Sequence, residues 1–152
     1  MTDIVNPATR SRMMSGIKGK NTKPELQVRR LLHKRGFRFR LHRKDLAGKP
    51  DLVLPRYKAV LFVHGCFWHG HSCKYFRWPS SHPEFWRTKI GRNQSNDAAV
   101  MSALLLAGWR VAVVWECALR SKTDEELEET GDAISSWLKS DEISVVLPPR
   151  RR

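Results

Sequence analysis

Two groups of residues in this sequence have types and spacings that could do chemistry. The first is Cys66, His69, His71 and Cys73, all within eight residues, with Cys117 much later in the chain. Zinc favours four tetrahedral ligands, and structural sites commonly combine three Cys with one His. The chain has three cysteines, so one histidine must complete such a set. His71 and Cys73 lie two apart and point the same way on an extended segment, which favours His71 over His69. The competing reading is three ordinary thiols among scattered histidines, because the spacing is not that of a standard zinc finger.

The second group combines carboxylates and imidazoles. Asp51 ends Gly48-Lys49-Pro50-Asp51, at the entrance of the apolar run Leu52-Val53-Leu54. Asp is disfavoured inside strands, so a carboxylate there caps, turns or works. Pro-Asp before a strand, with Glu25 on the preceding helix, is the pattern of nucleases with a Pro-Asp…(Asp/Glu)-x-Lys signature. In those enzymes the Asp binds Mg²⁺ near the scissile phosphate, and the ion neutralises charge and lowers the pKa of water. Here the next strand, Val60 to His64, has no (Asp/Glu)-x-Lys, and Pro-Asp alone also fits a plain turn. His64 and His69 flank the loop at the end of that strand. A neutral imidazole there can accept a proton from water attacking a phosphate.

These groups need a scaffold. Thr22 as cap, Pro24 in the first turn and Glu25 three residues on predict a helix with a capping box, closed by Gly36. Leu26, Val28, Leu31 and Leu32 supply its apolar face. Phe37 to Leu41 alternates with period two, as a half-buried strand should. Leu52 to Leu54, a Pro55-Arg56 turn and Ala59 to Val63 predict a hairpin. Residues 64–84 show no periodicity and predict a long irregular segment, which in a small domain is functional or pinned. Helical structure begins at Phe85 to Ile90 and continues over Asn96 to Ala107. Val111 to Trp115 is a buried strand, and Asp124 to Leu138 an acidic helix. A short helix over Thr9 to Ile17 and a tail over 139–152 complete the pass. The order αβββαβα gives an α/β fold with a mixed sheet flanked by helices.

At 152 residues the chain forms one domain with one modest core. No apolar run spans a membrane, and residues 1–20 lack a secretory signal, so the expectation is an intracellular, cytoplasmic protein. Lys and Arg total 28 against 15 acids, a net charge of +13. Residues 1–50 hold 14 bases and 3 acids, residues 51–100 hold 7 and 3, and residues 101–152 hold 7 and 9. A polyanion is therefore expected across the N-terminal two-thirds. Aromatics interleave with the bases, at Phe67, Trp68, Phe76, Trp78, Phe85 and Trp86, which favours nucleic acid.

The segment from His64 through Cys66-Phe67-Trp68-His69 to Cys73 resembles the core of the Vsr mismatch endonucleases. Further matches are Thr9-Arg10-Ser11, Arg12-Met13-Met14, Gly48-Lys49-Pro50-Asp51, Glu84-Phe85-Trp86, Lys89 to Asn93, Gly108 to Val111 and Val114 to Arg120. The resemblance runs over roughly residues 8–138. It implies a restriction-endonuclease-like fold with structural zinc on Cys66, His71, Cys73 and Cys117. It implies that Asp51 ligates Mg²⁺ with the main-chain carbonyl of residue 63, and that His69 is the general base. Glu25, His64 and Asp97 would position waters and steady the metal site. The expected product is a nick 5′ of the thymine in a T·G mismatch, leaving a 3′-hydroxyl and a 5′-phosphate. The sequence context it implies is a methylated CC(A/T)GG site. Residue 63 is Val where the family pattern has Thr: a carbonyl ligand survives that change, a hydroxyl contact does not, and activity would be weakened.

The expected partner is double-stranded DNA with a T·G mismatch, bound by a monomer, with other mismatch-repair proteins as further contacts and no membrane. Phe67 and Trp68 sit between expected zinc ligands, and Trp86 lies beside Arg87, Lys89 and Arg92. These three rings are expected to enter the duplex, since wedges unstack a mismatched step more cheaply than a paired one. Trp109, Trp115 and Trp137 are expected in the core. Lys89 on phosphate, Asn93, and Met14 from an N-terminal arm over 1–20 complete the DNA contacts. The main rival reading is a catalytically silent, zinc-stabilised DNA-binding module. A basic RNA-associated protein explains neither the acid–imidazole set nor the cysteines.

Overall fold

A computed structural model describes residues 22–149. The N-terminal arm, with Met14 and the expected helix over Thr9 to Ile17, lies outside them. Helix α1 (Lys23–Lys34) starts where the cap chemistry places it, with the Thr22 hydroxyl accepting from the Glu25 N–H at 3.4 Å. Only the Thr half of the expected capping box is needed here, because the Glu25 carboxylate is taken up by Arg29 and His42. A full box forms instead at helix α3 (Asp124–Leu138), between Thr123 and Glu126. Helix α1 buries Val28, Leu31 and Leu32, whereas Leu26 is exposed.

Five strands form one sheet in the order β1-β2-β3-β4-β5: Arg40–Leu41, Leu52–Leu54, Ala59–His64, Arg110–Trp115 and Ser144–Leu147. The first three pair antiparallel, and β3, β4 and β5 run parallel. Two findings differ from the sequence reading. The first strand pairs only at Arg40 and Leu41, although the period-two burial of Phe37 and Phe39 is kept. The C-terminal segment is more than a tail, since Ser144–Leu147 closes the sheet beside β4. Its signal was the β-branched, apolar run Ile143 to Leu147 stopped by Pro148, a pattern proper to a strand.

Strand alternation gives the sheet two faces. Leu61, Ala112 and Val114 face α1 and α3, together with Leu32, Ile134 and Leu138. Val60, Phe62, Val111 and Val113 face the long helix α2 (Pro83–Leu106) through Leu104. Each fully buried aliphatic side chain here contributes about 1.5–3 kcal/mol by leaving water. Helix α2 runs unbroken through Ile90 to Asn96, and the irregular segment ends at His82, two residues earlier than expected. Among the described residues, no helix is long and apolar enough to cross a membrane.

Candidate active site and metal centre

The parallel strands β3 and β4 end side by side, with His64 opposite Trp115. Chain segments leaving those ends carry the chemical groups. The loop after β3 folds back through His71 N–H to Cys66 carbonyl (2.9 Å) and Gly70 N–H to Phe67 carbonyl (3.2 Å). Gly70 has φ +61°, and a Cβ there would lie 2.5 Å from Gln94 Nε2 and 2.7 Å from Ile90. The position thus requires glycine twice over, by backbone and by space. From α2, Asn93 Nδ2 donates to the Trp68 carbonyl at 2.7 Å and Gln94 Nε2 to the His69 carbonyl at 3.3 Å.

The structure brings Cys66, His71, Cys73 and Cys117 together, with one ligand atom from each lying within 4.8 Å of the others. Cys117 Sγ is 3.5 Å from His71 Nδ1. A tetrahedral zinc with about 2.3 Å to sulfur and about 2.0 Å to nitrogen would hold those atoms about 3.5 Å apart, so the donors fit that ion. All three cysteines are free thiols. Burial pushes the Cys66 and Cys117 thiols up and the His71 imidazole down. A dication reverses the thiol effect by binding thiolate, and a neutral imidazole is the form that ligates.

The remaining groups fall into two adjoining clusters. In the first, the Glu25 carboxylate, 4% exposed, lies 3.0 Å from the Arg29 guanidinium and 3.1 Å from His42 Nε2. Asp51 completes this cluster and accepts the Val63 N–H at 2.7 Å. Burial, and then the neighbouring Glu25 carboxylate, push Asp51 up to about 7. A turn with positive φ at Gly48 and Lys49 delivers Asp51. Gly48 passes so close to α2 that a Cβ would sit 2.4 Å from Val100.

In the second cluster, His69 Nδ1 is 2.5 Å from Asp97 Oδ2. The His64 and His69 rings stack at 3.9 Å, only 6° from parallel. Burial, and then the charge on His69, hold His64 down at about 3, so it is neutral at any ordinary pH. Its Nδ1 is buried with no hydrogen-bond partner among the described residues. Both clusters and the Cys/His set border one cleft of about 2250 Å³. A carboxylate-oriented imidazole beside a buried acid pair is equipped for proton transfer to or from water.

Phe67, Trp68 and Trp86 pack on one another, with centroids 5.2–5.8 Å apart, and not in either hydrophobic core. The rings continue through Phe76 to Trp78 on one side and to Phe85 on the other. Trp137 is in the core as expected, and Trp109 and Trp115, half-buried, pack against its α2-facing cluster. Lys58 and Arg43 sit over Trp109. Trp115 forms a wall of the site, because its strand ends there. The sequence reading did not include Arg29, His42 or Glu116 as site residues, and the last two meet the site only through the fold. Arg29 could have been found as the i+4 partner of Glu25; His42 and Glu116 left no local signal.

A family model described as DNA mismatch endonuclease Vsr matches residues 2–75. The chain is 53% identical over 119 residues to a type II nicking enzyme, V.XorIIP, of Xanthomonas oryzae pv. oryzae, covering 78% of this chain and 88% of the relative. It is 48% identical over 122 residues to the nicking enzyme V.NmeAIP of Neisseria meningitidis, covering 80% and 87%. It is 45% identical over 141 residues to the DNA mismatch endonuclease Vsr of Escherichia coli, covering 91% and 88%.

Proposed function

The chain belongs to the Vsr family of DNA mismatch endonucleases, and we propose that it hydrolyses the phosphodiester 5′ of the thymine in a T·G mismatch, leaving a 3′-hydroxyl and a 5′-phosphate. That it is an endodeoxyribonuclease follows from the family. The observation that carries the finer reading is the meeting of a buried acid pair, Asp51 and Glu25, with the His69–Asp97 pair at one end of the sheet.

Asp51 and the Val63 carbonyl hold Mg²⁺ in this reading. The N–H and C=O of an extended residue point to the same strand edge, and the Val63 N–H already meets Asp51, which supports the carbonyl as its companion. Two carboxylates in a buried site resist full ionisation, and a dication relieves that. When bound, it supplies charge neutralisation at the phosphate and a more acidic attacking water. Asp97 fixes the His69 tautomer by accepting from Nδ1, which leaves Nε2 to take the proton from water. His64, kept neutral, adds no charge against the phosphate and backs the His69 ring. Glu25, steadied by Arg29 and His42, orients water around Asp51. Zinc on Cys66, His71, Cys73 and Cys117 pins the loop that carries His69.

Phe67, Trp68 and Trp86 act as the wedge that opens the mismatched step, with Lys89 on phosphate. Asn93 serves by holding the Trp68 backbone, and Met14 probes from the arm. Carbonyl ligation leaves Val63 competent without a hydroxyl. The protein acts as a cytoplasmic monomer and hands its nick to other mismatch-repair proteins.

Incubation with T·G and G·C duplexes in several sequence contexts, with and without Mg²⁺, tests this. Nicking of T·G alone, only with the cation, is expected. Tight binding without cleavage under every divalent cation would make the chain a silent binding module.

A further inference from the structure

Trp115 touches both halves of the site. Its indole stacks on the His71 ring at 4.0 Å and 8° from parallel. The same indole meets His64 edge-on at 5.3 Å and His69 at 6.1 Å, at 70° and 72°. It stands opposite His64 in the β3–β4 register, so the sheet fixes where its Cα lies. Its neighbour Glu116 accepts the Cys66 N–H at 3.3 Å, and Cys117 follows as a member of the Cys/His set. The end of β4 therefore grips that set by a ring, a carboxylate and a thiol.

We propose that Trp115 is a positioning residue that passes the geometry of the Cys/His cluster on to the His64–His69 pair. Backbone hydrogen bonds hold the loop, yet they leave the imidazole torsions undetermined. His64 is the clearest case, since its Nδ1 has no hydrogen-bond partner among the described residues. Its ring is set instead by the His69 face, the Trp115 edge and Phe62 at 5.6 Å. His69 has one polar anchor, Asp97, which fixes one ring atom but not the ring plane. The Trp115 and His64 rings supply the plane, and an imidazole free to leave it breaks the Asp97 hydrogen bond that fixes its tautomer. A metal bound at His71 orients the imidazole on which Trp115 lies, so its influence reaches the proton-accepting nitrogen through one side chain. This proposal rests on His69 being the general base.

Two substitutions approach the indole from opposite sides. Trp115→Leu removes the plate and keeps an apolar side chain. His71→Cys removes the stacked imidazole but leaves four Cys ligands, an ordinary structural zinc set. The readouts are zinc content, duplex affinity, kcat and KM separately, and the His69 tautomer from long-range ¹H–¹⁵N spectra. Zinc retained, KM within about twofold, kcat lowered roughly tenfold or more and mixed His69 tautomers are expected for both. Trp115→Phe, which keeps a ring to stack, should restore much of kcat. If Trp115→Leu does not fold, His71→Cys and Trp115→Phe decide. A single wild-type tautomer with unchanged kcat in His71→Cys overturns the proposal. Mixed tautomers with undiminished kcat would instead refute His69 as the base and leave the positioning role standing.

Discussion

Replacing Asp51 with Asn should make the Mg²⁺-free protein more stable while abolishing its nicking. The buried carboxyl is shifted from 3.8 to about 7, first by burial and then by Glu25. At about 1.4 kcal/mol per pH unit, that shift corresponds to a ceiling of roughly 4 kcal/mol. Water and nearby side chains relax around the charged carboxylate, so a gain of about 1–3 kcal/mol is expected. The sign follows from where the proton sits. Between about pH 4 and about pH 7 the folded chain holds a proton that the unfolded chain has released. The wild-type fold is therefore unpenalised below about pH 4 and loses stability as pH rises through about 7. Asn carries no such slope, and its amide oxygen can still accept the Val63 N–H. Urea unfolding followed by tryptophan fluorescence, with zinc retained, should show equal stability at about pH 4 and a more stable variant at about pH 8.5. Added Mg²⁺ should raise the wild-type midpoint at the higher pH and leave the variant unmoved. A variant less stable at both pH values, or one that Mg²⁺ stabilises equally, would show that Asp51 is neither charge-frustrated nor the cation ligand.

Cys117→Ala should lose the metal and fold poorly, since structural zinc contributes roughly 10 kcal/mol or more to folding in small sites; elemental analysis of natively purified wild type showing no zinc sinks that account. His69→Ala should lower the single-turnover nicking rate by roughly 10²–10⁴-fold with little change in duplex affinity, and a wild-type rate would reassign the base. Trp68→Ala should narrow the ratio of T·G to paired-duplex nicking at unchanged zinc content, with a stability loss near 1 kcal/mol from the ring contacts. A large stability loss with full mismatch preference would make Trp68 a structural residue.

The four residues of the Cys/His cluster were legible because their types are rare in this chain and three of them are nearly contiguous. The fourth, Cys117, was reachable only because just three cysteines exist. Asp51 was legible as a carboxylate out of place before a strand. Its pairing with Glu25 through a helix–sheet contact was suggested only by the nuclease pattern. His42 was invisible, since an exposed-looking His in a basic stretch carries no periodic signal, and the positive φ that turns it inward appears only in three dimensions. Helix α2 misled at its middle because its site-facing positions, Asn93, Gln94 and Asp97, are polar, so the apolar rhythm lapses where function begins. The strand at Ser144–Leu147 was lost for a different reason: it is short, edge-placed and half-exposed, and its partner lies across a whole helix in sequence.

The late arrival of Cys117 has a consequence for biosynthesis. His71, Cys73 and Cys66 emerge from the ribosome together, but the fourth member of the set follows only after α2 and the whole of β4 have been made. Trp115 and Asp97 arrive in that same later portion. A chain shorter than this therefore has its basic N-terminal half before the Cys/His set is complete and before Asp97 can meet His69. Bringing Cys117 to the loop closes a long stretch of chain, which carries an entropic cost until the parallel β3–β4 pairing compensates it. The Cys/His set is thereby completed only once β4 has docked beside β3.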